Sequence, residues 1–139
     1  MRAHIIVDTG PLVALGYQAD RYHSWATEQF RVLHPPLYTC EAVLSETCFL
    51  MSDSPKAIDL LFQYLENGII QIRLKTTDEL KAIHQLIQRY RNVPMSFADA
   101  CLVRMTETLE QSVVMTLDKD FRIYRKHART VIPLLSPEF

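Results

Sequence analysis

The chain alternates short apolar runs with longer stretches whose apolar residues recur at helical spacing. Such alternation is typical of strands that follow helices. The short runs are rich in β-branched residues and predict strands over residues 3–7, 37–39, 69–74, 113–116 and 131–134. Strands separated by helices predict a parallel sheet covered by helices on both faces, which is an α/β fold.

The amphipathic stretches predict helices, and several have a clear first or last residue. Asp20 is expected to cap the second helix and Pro35-Pro36 to end it. Ser54-Pro55 opens another helix, which ends at Asn67-Gly68. The predicted helices span residues 11–17, 20–33, 41–51, 54–66, 77–90, 96–109 and 120–126.

Length and composition favour one domain over residues 1–139. Apolar residues make up 48% of the chain, which is enough for a sizeable core. No apolar run is long enough to span a membrane, and the apolar N-terminal stretch is too short for a signal peptide. We therefore expect a cytoplasmic protein with no membrane contact. The chain has 3 glycines, which excludes a glycine-rich dinucleotide or phosphate loop.

Cysteines and large aromatic residues are expected mainly in the core. Cys40, Cys48 and Cys101 show no paired metal-ligand spacing, and each lies in an apolar stretch. Apolar surface near Trp25, Phe30 or Phe49 could serve a partner, but we expect burial of each side chain.

The charge is distributed unevenly, although the net charge is only −1. Residues 1–70 hold 4 Lys/Arg against 8 Asp/Glu, and residues 71–139 hold 11 against 8. Several bases lie close together in one segment: Lys119, Arg122, Arg125, Lys126 and Arg129. This segment could hold a phosphate backbone, or it could be the solvated face of a helix.

Two carboxylates lie at the carboxyl ends of predicted strands. Asp8 ends the first strand, and Asp118 comes just after the strand at 113–116. Ligands of such sheets bind beyond the carboxyl ends of the strands, where the strand order reverses. Either residue could instead cap the next helix. Both Asp118 and Asp120 follow the strand at 113–116, and we expect one of them to cap the next helix and the other to be free for metal.

Two further carboxylates lie on predicted helices. Ser96 and Asp99 have capping-box spacing, and a carboxylate with two oxygens can cap a helix and also bind a cation. Glu46 lies in the helix at 41–51 and could simply mark its exposed margin. We prefer Glu46 to Glu41 as a site residue because an acid at a helix start interacts with the helix dipole.

Convergence of these acids would select a cation. Two carboxylates ~5 Å apart repel by roughly 3 kcal/mol at an effective dielectric constant of about 20. A divalent ion converts this repulsion into attraction, and all-oxygen ligands suit Mg²⁺ or Mn²⁺. The 5 histidines show no His-x-x-x-His spacing, which argues against zinc.

Together these motifs resemble the PIN-domain family, and in size and layout its VapC-type toxin ribonucleases. The motifs are Asp8-Thr9-Gly10 after the first strand, Glu46 in an early helix, Asp99 between alanines, and Thr-x-Asp-x-Asp-Phe at 116–121. The resemblance covers essentially the whole chain. It implies an α/β/α sandwich on a mostly parallel sheet. It also implies an Mg²⁺- or Mn²⁺-dependent endoribonuclease with one or two metal ions.

The same resemblance implies roles for individual residues. Asp8, Glu46, Asp99 and Asp118 match the family's catalytic metal-binding acids. Supporting positions fall on Thr9, Thr116 and Asp120, and candidate contacts to the RNA backbone on Lys119, Arg122 and Arg125. Relatives of this type usually form homodimers and are held silent by a small antitoxin protein.

Other functions fit the sequence less well. An inactive PIN-like module that binds RNA or a protein would share the fold, and RNA cleavage with and without Mn²⁺ would separate it from a nuclease. A phosphoaspartate receiver needs an acidic pair after the first strand, and a haloacid-dehalogenase-type phosphatase needs Asp-x-Asp there. The segment Asp8-Thr9-Gly10 supplies neither motif.

Overall fold

A central parallel sheet organises the fold in a computed structural model that describes residues 2–137. Within this part of the chain, the strand order is β3-β2-β1-β4-β7, and every neighbouring pair is parallel. The strands are β1 (His4–Val7), β2 (Leu37–Thr39), β3 (Ile70–Ile72), β4 (Ser112–Met115) and β7 (Leu134–Leu135). The expectation of a parallel sheet is therefore confirmed.

Helices flank the sheet and complete the predicted α/β/α sandwich. They are α1 (Thr9–Gly16), α2 (His23–Val32), α3 (Glu41–Leu50), α4 (Pro55–Glu66), α5 (Leu80–Arg89) and α6 (Phe97–Thr108). Two 3₁₀ turns cover Thr76–Glu79 and Lys119–Arg122. A short antiparallel hairpin pairs β5 (Arg125–Lys126) with β6 (Thr130–Val131).

The core lies where α6 packs against β1 and β4. Ile6, Val7, Val114 and Met115 are fully buried, as expected for central strands of a sheet covered on both faces. The side of α6 that faces the sheet is equally dry, with Cys101, Leu102 and Val103 among its buried residues. Each such apolar side chain stabilises the fold by roughly 1.5–3 kcal/mol.

The strand order reverses beside β1. The chain places β2 and β3 on one side of β1 and then returns to place β4 on the other side. Val7 and Met115 are partners in the β1–β4 register, and the Asp8 amide donates to the Met115 carbonyl at 3.0 Å. The residues that follow these two strands consequently leave the sheet side by side.

Three predictions about local structure are wrong. Asp20 does not cap α2, because its carboxylate accepts from the Tyr22 amide in a preceding turn and α2 begins only at His23. The helix predicted at 120–126 is a 3₁₀ turn followed by β5. The strand predicted at 131–134 covers the ends of two strands, β6 and β7, which pair with different neighbours.

Burial of the candidate core residues is mostly as expected. Cys40 and Cys101 are fully buried and Cys48 is half-buried. The half-buried side chains of Trp25 and Phe30 pack against the core. The prediction fails for Phe49, whose side chain is 76% exposed on α3. No helix among residues 2–137 has both the length and the apolar character needed to cross a membrane.

Candidate active site

The four predicted acids line one cavity at the carboxyl edge of the sheet. The cavity encloses about 390 Å³, and its walls include Asp8, Glu46, Asp99 and Asp118. Asp8 follows β1, Asp118 follows β4, and the other two acids come from helices α3 and α6. The fold thus gathers at one place carboxylates that lie far apart in the sequence.

Asp8 is the most buried of the four acids, with 7% of its surface exposed. Its Oδ1 accepts the Thr9 amide at 2.7 Å, so Asp8 also caps α1. Burial raises the pKa of Asp8 to about 6, against the opposing effect of its hydrogen bonds. The charges of Asp99 and Asp118 raise this pKa further. Asp8 therefore lies in an electrostatic environment that disfavours its own negative charge and would favour a nearby cation.

Thr116 connects two of these acids through one hydroxyl. Its Oγ1 donates to Asp8 Oδ2 at 2.7 Å and accepts the Asp118 amide at 2.9 Å. Thr116 is fully buried, so water does not compete for either bond. The position predicted as supporting is thus in contact with both strand-end acids.

Asp99 combines helix capping with a place in the cavity wall. Its amide donates to Ser96 Oγ and its Oδ2 accepts the Ser96 amide, each at 3.0 Å, which confirms the predicted capping box. Tyr124 OH also donates to Asp99 Oδ2, at 3.4 Å. Burial raises the pKa of Asp99, and the Asp118 charge adds to this effect. The Ser96 and Tyr124 hydrogen bonds oppose the rise.

The structure separates Asp118 from Asp120 in an unexpected way. Asp118 lines the cavity and also caps the following 3₁₀ turn, where its Oδ1 accepts the Asp120 amide at 2.9 Å. Asp120 is not part of the cavity wall. The expectation that one acid would cap and the other would face the site is therefore wrong, because one carboxylate can do both.

Glu46 and Glu41 lie in adjoining depressions. Glu46 lines the cavity together with the three aspartates, whereas Glu41 lies at the first turn of α3 and lines only the neighbouring groove. Side chains one and a half turns apart on a helix point in different directions. The geometry therefore favours Glu46 over Glu41 as the fourth acid.

The oxygen atoms that line the cavity are of the kind that a hard cation prefers, but their present arrangement is less suited to one. The cavity is lined by the four carboxylates and by Thr9, whose Oγ1 is buried and has no hydrogen-bond partner among residues 2–137. A buried hydroxyl without a partner costs free energy. Over the same residues, however, no three His, Cys, Asp or Glu side chains form a ready-made metal-binding group. The acids thus form a looser group than the tight cluster that the sequence predicted.

The basic segment borders the site through its 3₁₀ turn. Lys119 directly follows Asp118, and Lys119 and Arg122 are exposed. Arg125 is half-buried, and its Nη1 donates to the carbonyls of Arg122, Ile123 and Tyr124 at 2.8–3.0 Å. Part of the Arg125 guanidinium is thus committed to the local backbone.

The contact of Tyr124 with Asp99 was not predicted from the sequence. It is fully buried, and its ring packs edge-on against Tyr90 and Phe121. Burial and the charges of Asp99, Asp120 and Asp118 raise the pKa of Tyr124, so its hydroxyl remains a hydrogen-bond donor at neutral pH. The only sequence signal was a tyrosine a few residues after an acidic motif, which does not reveal a contact with Asp99.

A family model described as the PIN domain matches residues 5–127, which include most of β1, helices α1 to α6 and β4. The chain belongs to the PIN-domain family. Among solved structures, this PIN domain is similar to VapC20 of Mycobacterium tuberculosis, described as a sarcin-ricin loop cleaving toxin. The TM-score is 0.70 at 22% sequence identity, over 84% of this chain and 91% of the toxin chain.

The similarity to VapC20 establishes a shared fold and nothing further, because the two sequences are too different to establish a shared activity. No curated protein matches the sequence of this PIN domain. The predicted family and fold are therefore confirmed. The roles of the individual site residues remain predictions.

Proposed function

We propose that this PIN domain is a metal-dependent endoribonuclease that hydrolyses RNA phosphodiester bonds with Asp8, Glu46, Asp99 and Asp118. The observation that supports it is the single cavity that these four acids line, beside the point where the strand order reverses. VapC20 acts on RNA according to its description, and the shared fold supports RNA as the substrate class here.

The chain's own residues would prepare the site in distinct ways. Asp8 is fixed by Thr9 and Thr116, so its carboxylate keeps one orientation. Asp99 accepts the hydrogen bonds of Ser96 and Tyr124 on Oδ2, which leaves Oδ1 available for a ligand. Asp118 is held through its own amide and through Oδ1, which leaves Oδ2 available. Glu46 is exposed on α3 and can move toward a ligand or orient a water molecule.

Mg²⁺ or Mn²⁺, as one ion or two, would be held by these oxygens and would supply Lewis-acid activation of water and neutralisation of the phosphate charge. Binding of a cation would also offset the effects of burial and of the neighbouring carboxylate charges, which together raise the pKa of Asp8. The looser present spacing of the acids is compatible with this role, because side chains such as Glu46 have rotamers through which they can close on an ion.

Substrate contacts would come from the basic segment. Lys119 and Arg122 are exposed on the 3₁₀ turn that Asp118 caps, so they can contact RNA phosphates beside the cavity. We assign Arg125 a smaller share, because it is half-buried whereas Lys119 and Arg122 are exposed. The backbone amide of Asp120, which donates to Asp118 Oδ1, would help to hold the turn that carries these residues.

We further infer that this nuclease is the toxin of a VapBC-type pair, works in the cytoplasm, forms a homodimer and is silenced by a small antitoxin. The similarity in fold to VapC20 supports this assignment. Co-expression with the product of a neighbouring small gene tests it, because a true antitoxin would co-purify and abolish cleavage.

The main experiment measures cleavage of generic RNA by the purified chain in Mn²⁺, in Mg²⁺ and in chelator. We expect cleavage with either ion and none in chelator. Asp118→Asn should remove cleavage, whereas Asp120→Asn should retain most of it, because only Asp118 lines the cavity. If the intact chain binds RNA but never cuts it under any of these conditions, the protein is a PIN-like RNA-binding module without nuclease activity.

A further inference from the structure

A groove adjoins the carboxylate cavity and carries two exposed aromatic rings. It encloses about 830 Å³, and Phe49 and Phe97 form part of its walls. Phe49 is 76% exposed and Phe97 is 46% exposed. The groove and the cavity share two wall residues, Glu46 and Ser96, so an occupant of one continues directly into the other.

The position of each ring follows from the elements that carry the acids. Phe49 lies three residues after Glu46 on α3, a spacing that puts both side chains on the same side of the helix. Phe97 is the first residue of α6, two positions before Asp99. Both rings are therefore held close to the site by the same rigid helices that position its carboxylates.

We propose that Phe49 and Phe97 form a base-stacking subsite for the nucleotide next to the cleaved phosphate. The inference rests on the proposed ribonuclease function and deepens it by assigning two side chains that would contact the base of an unpaired nucleotide. Aromatic side chains bind bases of any sequence through their faces, and this stacking is a main source of affinity for single strands. In a duplex the faces of the bases are occupied by their neighbours, so only an unpaired nucleotide could enter.

Polar groups that line the same groove support a nucleobase over a purely apolar occupant. Glu41, Ser45 and Thr76 also line the groove and offer carboxylate and hydroxyl oxygens. Such acceptors match the amino groups on the edges of adenine, cytosine and guanine. Because Glu41 and Glu46 are acidic, the groove suits the base, and the phosphates would follow the cavity and the basic 3₁₀ turn.

The experiment pairs protein variants with modified RNA. Phe49→Ala and Phe97→Ala are compared with Phe62→Ala, which removes from α4 an exposed phenylalanine (45%, close to the 46% of Phe97) that lies outside both depressions. Phe49→Trp keeps a stacking face and serves as the rescue. Each protein is assayed on short single-stranded RNAs that carry one abasic ribose, moved stepwise along the strand. Cleavage is measured in Mn²⁺, binding by fluorescence anisotropy in Ca²⁺, and folding by thermal melts.

For the intact chain we expect one abasic position, next to the cut, to reduce kcat/KM by between about fivefold and about a hundredfold. Phe49→Ala and Phe97→Ala should lose a similar factor on unmodified RNA and become insensitive to that abasic position. Phe62→Ala should match the intact chain, and Phe49→Trp should regain most of the loss. This loss of sensitivity would identify the base as the group that the rings contact.

Two failures can be told apart. Cleavage that is equal for Phe49→Ala, Phe97→Ala and Phe62→Ala overturns the subsite but leaves the ribonuclease intact. Binding that depends on both rings without any cleavage overturns hydrolysis but supports the subsite. If the alanine variants change only self-association in analytical ultracentrifugation and leave RNA binding unchanged, the rings serve a protein interface and the proposal is wrong.

Discussion

Thr116 Oγ1 donates a hydrogen bond of 2.7 Å to Asp8 Oδ2, across 108 positions of sequence. The same oxygen accepts the Asp118 amide at 2.9 Å, so one buried hydroxyl fixes the two acids that follow β1 and β4. The parallel register of Val7 with Met115 makes this contact possible, because it aligns the ends of both strands. The geometry of the candidate site is thus tied to the pairing of two central strands.

Replacing Thr116 with valine should damage both stability and cleavage. Valine keeps the shape of the buried side chain but leaves Asp8 Oδ2 and the Asp118 amide without their shared partner. We expect a loss of about 1–3 kcal/mol in the free energy of unfolding at neutral pH, measured by urea denaturation. The activity of Thr116→Ser should remain close to that of the intact chain. Equal stability and activity for the valine and serine variants would contradict this role.

Asp8→Asn should abolish cleavage and yet leave the metal-free protein as stable as before, or more so. The pKa of Asp8 rises from 3.8 to about 6 on folding, so between these values the folded state retains a proton that the unfolded state has lost. Stability therefore falls as pH rises through this window, by about 3 kcal/mol in total. The asparagine variant lacks this penalty above pH 6.

Thermal melts in chelator across this pH range test the Asp8 prediction. The advantage of Asp8→Asn should be largest near neutral pH and disappear toward pH 4. Asp78→Asn, at an exposed position outside the cavity, should follow the intact chain at every pH. A large loss of stability for Asp8→Asn at neutral pH would show that its charge stabilises the fold.

Tyr124→Phe should alter the pH dependence of cleavage more than the fold. The ring keeps its contacts with Tyr90 and Phe121, whereas the hydroxyl that lowers the pKa of Asp99 is lost. The acid limb of the kcat/KM profile should therefore shift to higher pH, because Asp99 holds its proton longer. Tyr90→Phe, which removes an acceptor of the Arg125 amide, provides the matched control and should not shift this limb. An unmoved limb for Tyr124→Phe would exclude it as a positioning residue.

Arg122→Ala should weaken RNA binding with a smaller dependence on salt. Loss of one phosphate contact lowers the slope of log K against log salt by about 1. Arg31→Ala provides the control, since Arg31 is an exposed arginine on α2 that pairs with Glu28. Arg125→Ala should mainly lower the melting temperature, because Arg125 Nη1 binds three backbone carbonyls. An unchanged slope for Arg122→Ala would show that Arg122 does not contact the RNA backbone.

The sequence by itself determined features that depend on local periodicity and on chain order. Buried β-branched runs separated by amphipathic stretches were enough to predict the parallel sheet, and its carboxyl edge then directed attention to Asp8 and Asp118. The capping box of Ser96 and Asp99 could also be predicted from the sequence, because both partners lie within one helical turn. The order of the motifs along the chain was also enough to predict membership of the PIN-domain family.

Only the tertiary structure decided which side chains meet. The choice of Asp118 over Asp120 as a cavity residue, the contact of Tyr124 with Asp99 and the exposure of Phe49 depend on elements far apart in the chain. The β5–β6 hairpin was missed because pairs of two residues carry almost no periodic signal. Long-range packing sets these features, since a side chain's neighbours across a cavity are fixed by how whole helices and strands dock.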